Sequence, residues 1–289
     1  MSATETAAPA PQPGQAEATV PVVEEPQNPL TQKFTEAEWK SLKEFRIQLP
    51  DIFAEAYPDN PEAKETPISL WGVDIDPTNP VGDARVSVVL LKFLRARHLN
   101  VSEGRSMLVN TLRWRESFDL KAACAEEFPK DVFGGLGKVY GRDKGGRPVV
   151  YNIYGGTQDL KAAFGDVQRF IRWRVALMEQ SVSQLDFINV DQTLQIHDYE
   201  GVSITSRDAN SKAAASEATN IFQSHYPELL YHKLFVNVPT LLTWIFWAFK
   251  PLISAETVKK MEVVGTGKGT VRRALAVWID EGEVEGRYR

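Results

Sequence analysis

Lys138-Val139-Tyr140-Gly141-Arg142-Asp143-Lys144-Gly145-Gly146-Arg147-Pro148-Val149-Val150-Tyr151-Asn152-Ile153-Tyr154 is the stretch on which the fold turns. Lys138 to Tyr140 and Pro148 to Tyr154 are rich in β-branched and aromatic residues and read as strands. Arg142-Asp143-Lys144-Gly145-Gly146 between them has the composition of a turn. Downstream the two periodicities alternate: a helix from Asp166 to about Ser183, a strand at Leu194-Gln195-Ile196-His197-Asp198-Tyr199, a helix from Asn210 to Gln223, and a strand from Lys233 to Val238. Strands separated by helices predict the α/β class, with a mixed or parallel sheet covered by helices.

Upstream of the hairpin the pattern is helical. Thr35 with Glu38 three residues on forms a capping box ahead of Trp39, Leu42 and Phe45, and predicts a helix to about Gln48. Val89, Leu90, Phe93 and Leu94 make one apolar stripe; Met107, Leu108, Leu112 and Trp114 make another. Two packed helices are therefore expected between Val86 and Phe118, with Ser102 as N-cap of the second. Pro50 to Pro80, dense in Pro, Asp and Asn, reads as a long insertion pinned to the core by Ile68, Leu70 and Trp71. Up to about Leu30 the chain is Ala, Pro and Glu with almost no large apolar residue, the composition of a disordered tail. The expected division is a tail over 1–32, a helical region over 33–125 and an α/β domain over 126–289.

Composition narrows the function. The 289 residues are 43% hydrophobic and 25% charged, which suits a globular protein. A net charge of -5 argues against general nucleic-acid binding; Glu5, Glu17, Glu24 and Glu25 lie in the first 30 residues with no Lys or Arg, so the remainder is nearly neutral. No apolar run is long enough to span a bilayer and the first residues lack a signal-peptide pattern, so a cytoplasmic protein is expected. The single Cys124 excludes an intramolecular disulfide and a thiolate cluster. There is no Gly-x-Ser-x-Gly elbow, and His98, His197, His225 and His232 lack metalloprotease spacing.

Two segments carry chemistry. Leu241 to Phe249 is apolar nearly all round, so as a helix it must be buried or face lipid, and Trp244 and Trp247 suit a membrane interface. On the strand Leu194 to Tyr199, Gln195, His197 and Tyr199 share one face and Leu194 and Ile196 the other, so one wall is polar. A phenol beside an imidazole is a ligand set for ferric haem; the alternative is a hydrogen-bonded pair within the core.

Three segments together resemble the fungal phosphatidylinositol-transfer family with its CRAL-TRIO domain: Leu91-Lys92-Phe93-Leu94-Arg95-Ala96-Arg97 with Trp114-Arg115, Gly145-Gly146-Arg147-Pro148-Val149, and Tyr226-Pro227-Glu228 followed by Phe235-Val236-Asn237-Val238-Pro239. The resemblance implies a helical N-terminal region followed by a mixed sheet and helices enclosing a hydrophobic pocket, with 241–249 as a gate helix. It also implies a non-enzymatic carrier of phosphatidylinositol, attached peripherally to cytoplasmic membrane faces such as the endoplasmic reticulum. The family's headgroup residues match Arg97, Glu228, Thr257 and Lys260, with His98 where a second basic residue is common.

His197-Asp198-Tyr199-Glu200-Gly201-Val202-Ser203, with Phe170-Ile171-Arg172-Trp173-Arg174 and Leu177-Met178-Glu179, resembles the family's haem-binding, non-classical branch. That resemblance implies haem b as cofactor, Tyr199 as iron ligand, His197 as neighbour or second ligand, and Arg172 and Lys212 completing the site. Tyr154 is a further lining residue, while Leu91 stands where the branch has a tyrosine. Two alternatives remain open: a haem-dependent peroxidase-like enzyme, and a module that presents lipid to another enzyme such as a lipid kinase.

Overall fold

In the computed structural model, residues 25–155, 159–202, 209–239 and 258–289 are described. Helix α1 (Glu36–Ile47) starts at the expected capping box: Thr35 accepts from the Glu38 N–H, and the Glu38 carboxylate accepts from the Thr35 N–H at 2.8 Å. Helix α2 (Leu49–Ala56) and a hairpin of β1 (Ile68–Leu70) and β2 (Val73–Ile75) occupy the stretch read as a loop insertion. The misreading has a physical cause. Pro50 sits in the first turn of α2, where a missing N–H costs nothing, and Trp71-Gly72 forms the two-residue hairpin turn with φ of 54° and 77°. Trp71 is held in that uncommon conformation by stacking against Phe93 at 5.7 Å and Phe187 at 6.4 Å.

Helices α3 (Ala84–Arg95) and α4 (Val101–Ser117) carry the two predicted stripes inward. Asn100, rather than Ser102, caps α4 by accepting from the Glu103 N–H. Short helices α5 (Leu120–Ala125) and α6 (Lys130–Phe133) lead to a five-stranded sheet. Its strands are β3 (Gly137–Arg142), β4 (Pro148–Ile153), β5 (Thr193–Asp198), β6 (Leu230–Val236) and β7 (Met261–Val263), in that spatial order. The β3–β4 pair is antiparallel and the rest are parallel, joined through α7 (Leu160–Gly165) and α8 (Val167–Val182), then α9 (Ala209–His225). Helix α10 (Lys268–Trp278) follows β7. The expected mixed α/β architecture is present.

Two cores flank the sheet. One buried cluster runs from Leu42 and Phe45 of α1 through Phe93 of α3 and Ile171 of α8 to Val150 on the sheet's front face. The helical region and the α/β region therefore share a core, and the expected boundary near residue 125 is not a break in packing. The second cluster lies behind the sheet, where Val149, Tyr151, Ile153, Leu194, Ile196, Leu234 and Val236 meet Val271 and Leu275 of α10. Residues 25–32, expected with the tail, are docked: Glu25 pairs with the buried Arg46 at 2.7 Å, and Asn28 donates to the Phe187 carbonyl at 3.0 Å. Residues 1–24 and the expected gate, 241–249, lie outside the described residues. Among the described residues no helix is long and apolar enough to cross a membrane.

Candidate functional site

Parallel strands place all their N-terminal ends at one edge of a sheet and all their C-terminal ends at the other, so residues next to different strands gather in space. At the N-terminal edge lie Asp191 before β5, Glu228 before β6 and Lys260 before β7. Glu228 Oε2 accepts from Lys260 Nζ at 2.9 Å, which joins two of the expected headgroup residues. Pro227 ends the helical path after α9, and Glu228 takes φ of 54°. That strained turn is secured through its carbonyl, which accepts from Lys92 Nζ at 3.0 Å and from the Gln192 amide at 3.2 Å. Lys92, 1% exposed, also meets Asp191 at 2.6 Å. Burial pulls the Lys92 ammonium below its ordinary range while the Asp191 carboxylate opposes the shift. Arg97 instead donates to its neighbour's carbonyl, Ala96 O, at 2.8 Å, and Thr257 lies outside the described residues.

At the opposite edge, Tyr154 follows β4 and Tyr199 follows β5. Asn152, His197 and Phe235 are register partners across β4, β5 and β6, all on the front face. The ring centroids of Tyr154 and Tyr199 are 5.5 Å apart, Tyr154 and His197 5.8 Å, His197 and Phe235 5.4 Å, and Tyr199 and Phe235 6.3 Å. A Cβ on Gly155 would run into the Glu200 backbone, so glycine is what allows the segments after β4 and β5 to approach. His197 Nε2 lies 3.3 Å from the Asn152 amide nitrogen and 3.4 Å from Gln195 Oε1, and accepts or donates according to its tautomer. Burial, then the charges of Lys233 and Arg174, push its pKa well below the usual histidine value, so the ring is neutral and able to act as a donor atom or ligand.

Tyr154, His197 and Tyr199 thus come together, but the expected arginine and lysine stand elsewhere. Arg172 Nε pairs with Glu126 at 2.6 Å and its Nη1 donates to the Phe118 carbonyl at 3.3 Å, while Lys212 is exposed on α9. The cations at the front face are Arg174, 4% exposed, and Lys233, both of which sequence reasoning missed. Each had a signal. Position 174 falls on the buried helical stripe Phe170, Ile171, Leu177, Met178, whereas 172 falls on the opposite side of the helix. Lys233 alternates with the back-face residues Leu234 and Val236, which assigns it to the face of Phe235.

The residues present are of the kinds that a haem-like aromatic ligand would use. They provide phenols at Tyr154 and Tyr199, a neutral imidazole, and buried polar atoms without partners at Asn152 Oδ1 and Arg174 Nη1. Among the described residues, no cluster of three or more His, Cys, Asp or Glu is arranged to hold a bare metal ion.

Residues 133–281 match the CRAL/TRIO domain family. The proteins named phosphatidylinositol transfer protein sfh5 are similar along most of the chain. That of Botryotinia fuckeliana is 37% identical over 241 residues, 78% of this chain and 52% of the relative. That of Neosartorya fischeri is 36% identical over 283 residues, 93% of this chain and 64% of the relative. The SFH5 protein of Cryptococcus neoformans var. neoformans is 37% identical over 243 residues, 77% of this chain and 78% of the relative. The chain spans 52% to 64% of the length of the first curated relatives it matches. The crystal structure of Sfh5 superposes with a TM-score of 0.69 at 29% identity, over 80% of this chain and 81% of that one. The chain belongs to the CRAL/TRIO domain family and is a homologue of the fungal Sfh5 proteins.

Proposed function

We propose that this protein binds phosphatidylinositol and carries it between membranes, as the names of its homologues describe them, and that it does so as a carrier rather than an enzyme. The observation that carries this reading is the Glu228–Lys260 pair, a carboxylate and an ammonium drawn from separate segments to one edge of the sheet. An inositol hydroxyl donates to a carboxylate and a phosphodiester accepts from an ammonium, so both halves of the headgroup have partners there. Docking would be peripheral, on cytoplasmic membrane faces such as the endoplasmic reticulum. Transfer of labelled phosphatidylinositol between vesicles tests it: Glu228→Gln with Lys260→Met should lower the rate at least about tenfold relative to wild type. An unchanged rate would refute the headgroup assignment.

The same pocket is proposed to accept haem b at its aromatic edge, supported by the convergence of Tyr154, His197 and Tyr199. When bound, haem would supply a ferric iron for Tyr199 to ligate, with neutral His197 as neighbour or second ligand. Protein purified with haem, or loaded with hemin, should show a Soret band that Tyr199→Phe shifts or abolishes. Peroxide turnover well above that of free hemin would instead favour the peroxidase-like alternative.

A further inference from the structure

The middle of the front face holds charge without compensation. Arg174 of α8 is 4% exposed, yet its Nη1 has no hydrogen-bond partner and its guanidinium rests on the Phe222 ring at 5.1 Å. Lys233 of β6 lies close enough to depress, with Arg174, the protonation of His197, and its ammonium stands 5.9 Å from the centroid of the Phe235 ring. Among the described residues, no carboxylate pairs with either cation. Burial and the charge of Arg174 bring the Lys233 pKa down to about 8. Lys233 is nonetheless only partly buried, as are Tyr154, Tyr199 and Phe235 on the same face.

Elsewhere among the described residues, buried cations have carboxylate partners. Lys92 has Asp191, Arg46 has Glu25, and Arg115 has Glu179 at 2.8 Å. Two unpaired cations in one buried space are costly unless something negative joins them. We infer that Arg174 and Lys233 form a buried anion seat, which takes a carboxylate or phosphate group of the molecule held against the front face. The inference rests on the reading of that face as the ligand pocket, and adds that the ligand enters acid group inward, at a place separate from the Glu228–Lys260 edge. A planar guanidinium and an ammonium together provide a fork and a point charge, a combination suited to either anion. Gln195, 5% exposed on the same face, adds a neutral amide.

The test compares ligands that differ only in the anion. Full-length protein would be titrated with palmitate and methyl palmitate, with hemin and hemin dimethyl ester, and with phosphatidic acid and diacylglycerol in the same detergent. Wild type should prefer the acid in at least one pair by about tenfold or more, and Arg174→Met with Lys233→Met should erase that preference without lowering the melting temperature of the ligand-free protein. A preference confined to the carboxylate pairs, or to the phosphate pair, identifies the source of the anion. Equal binding of acid and neutral forms by wild type, or an undiminished preference in the double variant, overturns the seat. If the double variant fails to fold, Lys233→Met against Lys233→Arg decides: loss in the first and retention in the second supports the seat, and equal behaviour overturns it. Hemin that fails to bind while palmitate shows the preference removes the haem reading and leaves the seat; hemin and its ester binding alike, with a Soret band and no acid preference in either other pair, does the reverse.

Discussion

Along β5, neighbouring residues on the two faces of the sheet treat their buried polar groups in opposite ways. Behind the sheet, Asp198 is completely buried, and its carboxylate accepts from the Tyr288 hydroxyl at 2.7 Å, the Asn237 amide at 2.9 Å and the Glu200 N–H at 2.9 Å. In front, one residue earlier on the same strand, His197 shares loose contacts of 3.3 to 3.4 Å with Asn152 and Gln195, and Asn152 Oδ1 and Arg174 Nη1 have no partner. Buried polar groups in native proteins are nearly always paired, so a satisfied set marks structure and an unsatisfied set marks a place for something else. The contrast locates the functional face without reference to any relative.

That contrast can be broken by mutation. Asp198→Ala would strand three donors behind the sheet and should destabilise the protein by about 3 kcal/mol, read from the urea midpoint; a loss below about 1 kcal/mol would show that water replaces the carboxylate and that the back face is not closed. Gly155→Ala should cost about 1–3 kcal/mol, because the new Cβ meets the Glu200 backbone. Since the displaced segments carry Tyr154 and Tyr199, ligand uptake should fall with it, and normal uptake would show that their approach is not needed.

A pH titration sharpens the comparison from the histidine side. Burial holds His225 down to about 4, where it stacks on Trp114 at 4.4 Å, and burial with two nearby cations holds His197 well below its ordinary value. The unfolded chain takes up protons at about pH 6.5, before either folded ring does. The stabilisation from the neutral rings is therefore complete above that pH and is lost as pH falls through the His225 value of about 4. Urea midpoints from pH 7.5 to 4.5 should decline, and His225→Phe, which keeps the stack, should flatten part of the decline.

The smallest effect is expected in front. Asn152→Leu removes a partly unsatisfied amide and should change ligand-free stability by less than about 1 kcal/mol. A loss as large as that of Asp198→Ala would erase the distinction between the faces.

The alternating pattern from Lys138 onward, the capping box at Thr35 and the stripes of α3 and α4 are local, and each was legible because a strand or helix repeats its burial every two or about 3.6 residues. Hairpin β1–β2 was hidden because its turn is built from Trp71, whose positive φ depends on rings from α3 and the segment before β5. The polar wall of β5 could be read from alternation, and so could Tyr154. Helical phase places Arg174 on the buried stripe of α8 and Arg172 off it, a distinction that motif likeness does not carry.

Alone, the amino-acid order determined the class of fold, the order of its elements and the face on which Gln195, His197 and Tyr199 stand, because these follow from short-range periodicity and backbone geometry. Which cations share that face, and that Glu228 meets Lys260 across 32 residues of chain, was decided only by tertiary structure. Charge compensation is a property of neighbours in space: an arginine in a sequence carries no sign of whether a carboxylate will be waiting for it. Arg172 found Glu126, and Arg174, two residues on, found none among the described residues.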